Sequence, residues 1–168
     1  QQAIYSYSSL EVAENHFKQA LSADPDFIDA KLGLVRNYFL MRDTGLIEKE
    51  TTEKNVTPLL QQVRDLQPEN RMAQAFELLL ESEKPGVSHD EKRREQTFID
   101  LRNLLPLIPT DTYFRNRVAL RLIFFYEHHQ DALAVVEAGL LIDPLSGKLY
   151  STQGQIFEEM KDLDRAMQ

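Results

Sequence analysis

Apolar residues along this chain recur at spacings of three and four. Val12, Phe17, Ala20 and Leu21 make one stripe, and Leu59, Leu60, Val63 and Leu66 a second. Leu101, Leu104 and Leu105 follow, then Leu133, Val136 and Leu140. Such spacing gathers side chains on one face of a helix. No alternating run rich in Val, Ile and Thr lies between turn signals, so strands are not expected. The pattern predicts helices over 1–7, 9–23, 28–42, 53–66, 71–83, 89–105, 112–127, 131–142 and 147–161, with a further start at 163.

Starts and stops fit this reading. Ser8-x-x-Glu11 and Ser88-x-x-Glu91 have the form of capping boxes, in which hydroxyl and carboxylate satisfy backbone N–H groups that lack a helical partner. Pro58 suits the first turn of a helix, where a missing N–H costs little. Asp24-Pro25, Gln67-Pro68, Ile108-Pro109 and Asp143-Pro144 each follow an apolar helix, and proline disfavours helical geometry in the residue before it. These four prolines are 43, 41 and 35 residues apart. A recurring distance of this size marks a repeat protein rather than a single globular core.

The chain resembles the tetratricopeptide repeat (TPR) family at these residues. The family pattern places Trp-x2-Leu-Gly-x2-Tyr on a first helix and Ala-x3-Phe on a second, closing at Pro. Matches are Ala13-x3-Phe17 with Ala20 and Pro25, then Ala132-x3-Val136 with Gly139 and Pro144. Tyr150-x2-Gln153-Gly154-x2-Phe157 follows, with Ala166 at the next helix start. Small residues let paired helices approach, and larger ones fill the space between pairs. Between Ile47 and Asn103 the match is weaker. There Val56, Leu60, Val63 and Pro68, and Thr97, Leu101, Leu104 and Pro109, keep the frame without the small residues. Extra residues around Gly45–Thr57 and Pro85–Asp90 are read as longer turns within repeats.

The resemblance implies an all-α fold, a right-handed superhelix of antiparallel helix pairs (an α-solenoid) with about four to five repeats. The approximate repeats are 1–27, 28–70, 71–111, 112–146 and a partial 147–168, all in one array. Neither end carries a polar capping element, so the chain is expected to be a fragment of a longer protein. The segment Ala13 to Tyr38, around Phe-x-Gln-Ala-Leu-x-x-Asp-Pro-x-Phe, further resembles repeat regions of bacterial sensor and regulatory proteins.

Charge and composition narrow the function classes. The net charge is −8; up to Lys84 there are 14 acidic and 9 basic residues, and beyond it 13 and 10. Neither half is a phosphate binder, so nucleic acid is not an expected partner. No stretch reaches the ~20 apolar residues of a membrane span, and no signal pattern opens the chain. The compartment, cytoplasm or bacterial periplasm, is left open. Cysteine is absent, which excludes disulfides, thiolate ligands and thiol nucleophiles.

Candidate chemistry is sparse. His128 and His129 are adjacent, so on a helix they point about 100° apart and do not converge on one metal. His16 and His89 are lone surface candidates. No glycine-rich phosphate loop, Gly-x-Ser-x-Gly elbow or His-Glu-x-x-His motif occurs. Lys92-Arg93-Arg94 lies among Asp90, Glu91 and Glu95, the pattern of a solvated helix face. No catalytic residue, cofactor or metal is expected, and the chain is not read as an enzyme.

First helices line the concave groove in the family, which implies a partner site here. Its carried-over positions are Asp29, Leu32, Arg36 and Phe39; Met72, Ala75 and Leu79; Tyr113, Asn116 and Leu120; and Lys148, Ser151 and Gln155, of which Leu79 and Leu120 are expected to pack between helices instead. Leu32 and Arg36 stand where the chaperone-tail clamp has Lys and Asn, so that clamp is not reproduced. Arg115, Arg117 and Arg121 suit a carboxylate or an acidic peptide, but they do not all share one face, so at least one is expected to face solvent. Arg36 and Arg117 are expected to serve binding rather than stability. The leading expectation is a non-catalytic scaffold holding a peptide or partner helix in its groove. The alternatives are a self-associating or spacer module of a larger regulator, with a homodimer through exposed repeat ends, and a repeat segment of an enzyme whose catalytic domain lies elsewhere.

Overall fold

The computed structural model describes residues 7–84, 90–108, 111–124 and 127–161. They form α1 (Tyr7–Ala23), α2 (Ile28–Asp43), α3 (Lys49–Leu66), α4 (Arg71–Ser82), α5 (Glu91–Leu104), α6 (Thr112–Phe124), α7 (His129–Leu140) and α8 (Gly147–Glu159). A 3-10 turn, Leu105–Leu107, extends α5, and no strand occurs among the described residues. The chain divides into two compact units, Gln1–Glu77 and Leu78–Gln168, with the boundary inside α4.

In the first unit α1 packs on α2 and α2 on α3. Leu34, Val35, Phe39, Val56, Leu60 and Val63 bury the facing stripes. Phe39 stacks on Phe76 with ring centroids 5.3 Å apart, and the Arg42 guanidinium lies 4.8 Å from the centre of the Phe39 ring. Gly33 lets α1 and α2 approach closely: a Cβ there would lie 2.4 Å from the ring of Phe17. A polar link joins the same helices. The Tyr38 hydroxyl donates to Glu14 at 2.9 Å, and the Lys18 ammonium reaches the same carboxylate oxygen at 2.6 Å. The hydrogen bond to Glu14 raises the Lys18 pKa above its ordinary 10.5. Burial, and then the bond to Glu14, raises that of Tyr38 above 10.0.

In the second unit α6 packs against α7 and α8, α7 against α8, and α5 against α6. Phe114, Val118, Leu122, Val136, Leu149 and Ile156 form its centre. Gly139 serves the approach of α7 to α8, because a Cβ would lie 2.8 Å from Leu149 Cδ1. The Asp111 carboxylate accepts from Phe114 N–H at 2.6 Å and so caps the start of α6.

Several expectations are corrected. The sequence between α2 and α3 does not lengthen a turn. Gly45, at a φ of 74°, closes α2, and α3 already begins at Lys49. The additional residues lengthen α3 to 18, and Pro58 stands deep inside it rather than in its first turn. Pro58 is exposed, while Thr52, Val56, Leu60 and Val63 bury the other face, and that packing carries the helix through the missing hydrogen bond. Ser8 is not a cap, because α1 includes Tyr7. Ser88 and residues 85–89 lie outside the described residues. The cap of α5 is Asp90, whose carboxylate accepts from Lys92 N–H at 3.1 Å and Arg93 N–H at 3.2 Å. Val12 and Leu66, expected on buried stripes, are 52% and 43% exposed. The helices expected over 1–7 and from 163 fall outside the described residues, apart from Tyr7.

Candidate functional site

One face of α6 carries Tyr113, Asn116, Arg117, Leu120, Arg121 and Phe124, which recur at helical spacing. One face of α8 carries Lys148, Ser151, Thr152 and Gln155 in the same way. A hydrogen bond between two buried side chains, from Thr152 Oγ1 to Asn116 Oδ1 at 2.7 Å, fixes these faces beside each other. Buried amide and hydroxyl groups of this kind are costly to separate, since each would lose its partner away from water. The two stripes are therefore held in register. Tyr113, Arg117 and Leu120 are half-buried, and Lys148, Ser151 and Gln155 are exposed.

The arginines of α6 behave differently from expectation. None is solvated. Arg117 and Arg121 both reach one oxygen of Glu83, Arg117 at 3.3 Å, with side chains only 15% and 11% exposed and Glu83 only 7%. Arg117 and Arg121, four apart, share a face on the common carboxylate, while Arg115 lies on another; the three do not share one face, as expected, but none is turned to solvent. Arg115 is 8% exposed, with its Cδ 3.5 Å from the space a Cβ on Gly139 would fill. Desolvation lowers its pKa below the ordinary value. Arg117 is thus a structural cation, and its charge cannot be reversed without cost to the fold.

Asn116 is 8% exposed and joins helices rather than facing a partner. Phe39, Ala75 and Leu79 are fully buried and belong to the packing. Asp29 is exposed, while Leu32, Arg36, Met72 and Leu120 are half-buried. Asp29, Leu32 and Arg36 share one face of α2 in the first unit, by their spacing of three and four.

His128 precedes α7, with its Nδ1 3.2 Å from Asp131 and its ring 4.5 Å from that of Phe98. His129 is the first residue of that helix. No group of three His, Asp or Glu side chains that could hold a metal occurs among the described residues. Arg93 of the Lys92–Arg94 run lies 3.3 Å from Glu81, an exposed helix contact. No described helix is long and apolar enough to cross a membrane.

The residue that sequence reasoning missed is Glu83. An arginine-rich, acid-free α6 signals that some distant carboxylate is needed, but nothing in the spacing says which.

Solved structures share the helical fold over nearly the whole chain. A thermophilic TPR protein of Thermus thermophilus superposes with a TM-score of 0.65 at 16% identity, covering 98% of this chain and 81% of its own. MamA gives 0.52 at 21% identity, covering 95% and 84%. MamA from AMB-1 gives 0.51 at 18%, covering 95% and 81%. No protein-family model and no curated protein matches the sequence. At these identities the likeness shows the fold, and the chain has a tetratricopeptide-type, all-α helical-repeat fold.

Proposed function

We propose that this chain is a non-catalytic interaction scaffold that receives a peptide or a partner helix along the paired faces of α6 and α8. In this reading the array has approximate repeats over 1–27, 28–70, 71–111 and 112–146, with a partial one over 147–168. The observation that carries the reading is the buried Asn116–Thr152 hydrogen bond. It holds an apolar and aromatic stripe, Tyr113 and Leu120, beside a polar one, Lys148, Ser151 and Gln155. A preformed strip of this composition suits an amphipathic segment, since little ordering is left to do on binding. Arg117 and Arg121, on the same face of α6, are held by Glu83 and serve the fold rather than the ligand.

The test is affinity capture from an extract of the source cells, followed by titration of the purified partner. Wild type is compared with Ser151→Arg/Gln155→Arg, which alters two exposed positions and no buried bond. The reading predicts at least about tenfold weaker binding, roughly 1.4 kcal/mol, with an unchanged melting temperature. Equal affinity for the two proteins would remove the α6–α8 face from consideration.

A further inference from the structure

The exposed stripe of α8 is charged at its two ends and nowhere between. Lys148, Ser151, Gln155 and Glu159 recur at spacings of three and four, so they share one face, and all four are exposed. Glu158 is exposed too, but its side chain leaves the helix about 100° away. Lys148 and Glu159 stand eleven residues apart, about three turns or about 16 Å along the helix.

Neither charge suits α8 itself. Lys148 lies in the first turn, where the helix dipole favours anions, and Glu159 is the last residue, where it favours cations. Within the helix, the positions three and four from Lys148 are Ser151 and Thr152, and those from Glu159 are Ile156 and Gln155, so no helical ion pair accounts for either charge. Lys161, just beyond the helix, balances at most one of the two carboxylates at that end. A local rule broken at both ends of one exposed stripe marks a surface shaped for something outside the fold. Next to this stripe α6 presents apolar side chains, Leu120 half-buried and Phe124 58% exposed, and the buried Asn116–Thr152 bond holds the two helices together.

Resting on the scaffold reading of this face, we infer that its occupant is an amphipathic helix with oppositely charged ends. A carboxylate lies over Lys148, a cation over Glu159 eleven residues away, and apolar side chains between them meet Leu120 and Phe124. Charges placed in this way add little affinity at an exposed rim, but they select the order of charges along the partner.

Fluorescence anisotropy with three acetylated and amidated peptides of about 18 residues tests it. Each carries the same leucine stripe on an alanine and glutamine background. The first has Glu and Lys eleven positions apart on the face of that stripe, the second has them four apart at one end, and the third has Gln at both places. At about 20 mM salt the first should bind at least about threefold tighter than the other two, and at about 500 mM the three should converge. Lys148→Gln/Glu159→Gln should bind all three alike, with wild-type affinity for the third. Equal binding of the three by the wild type, or a preference that survives in the variant, would overturn the inference and leave the scaffold reading standing. Failure of all three to bind would remove the α6–α8 face itself, and the inference with it.

Discussion

Glu83 has a side chain 7% exposed and accepts from Arg117 and Arg121 together, so its loss takes a shared acceptor from two nearly buried guanidiniums. Removing one partner from a buried ion pair costs about 3–5 kcal/mol, because the remaining charge keeps its desolvation penalty. Glu83→Gln should therefore lower the free energy of unfolding in urea by about 3 kcal/mol. Arg117→Glu should be at least as damaging. A change within about 0.5 kcal/mol, the range of ordinary surface substitutions, would show that the pair is not the anchor described here. At this scale the sequence was least informative. Arg117 and Tyr113 are both half-buried on α6, and periodicity does not distinguish an arginine turned inward to a carboxylate 34 residues earlier from one turned to a ligand. The burial of Phe39, Ala75 and Asn116 escaped it for the same reason: a residue on the partner-facing stripe and one at its buried margin differ by a single helix position.

Helices α1 and α2 are joined by Gly33 against Phe17 and by the Glu14–Tyr38–Lys18 link. Folding raises both the Lys18 and the Tyr38 pKa, so each group holds its proton more tightly folded than unfolded. Their contribution is complete below the ordinary values of 10.0 and 10.5, and is lost as pH rises through the higher folded values. Melting temperature should thus fall as pH rises above about 10, chiefly through the more buried Tyr38, and Tyr38→Phe should flatten that fall while lowering stability at neutral pH. Parallel alkaline profiles for the two proteins would remove Tyr38 from the account. Elements themselves were largely legible. Stripes such as Leu133 and Val136, and the Asp-Pro and Gln-Pro stops, place α1 to α8 close to their observed bounds, because helix faces and proline sterics are local. What escaped was chemistry with more than one local solution. Asp90 displaced Ser88 as the cap of α5, and Pro58 is tolerated within α3 because its ring faces solvent over a well-packed opposite side.

Proline spacing carried the architecture of the whole molecule, since turns recurring every 35 to 43 residues are hard to produce with a single core. The fold shared with TPR proteins at 16 to 21% identity shows how little of the sequence such a fold requires: small residues at close approaches such as Gly33 and Gly139, and apolar stripes between them. Function is written on the surface the fold leaves over. In the second unit the surface proposed for a partner is the paired faces of α6 and α8. The most direct test of this proposal is hydrogen–deuterium exchange of the chain with and without its captured partner. Slowed exchange should concentrate in peptides spanning 112–124 and 147–159, with α7 unchanged. Protection confined to other helices, with those two segments exchanging as in the free protein, would contradict the scaffold reading of that face.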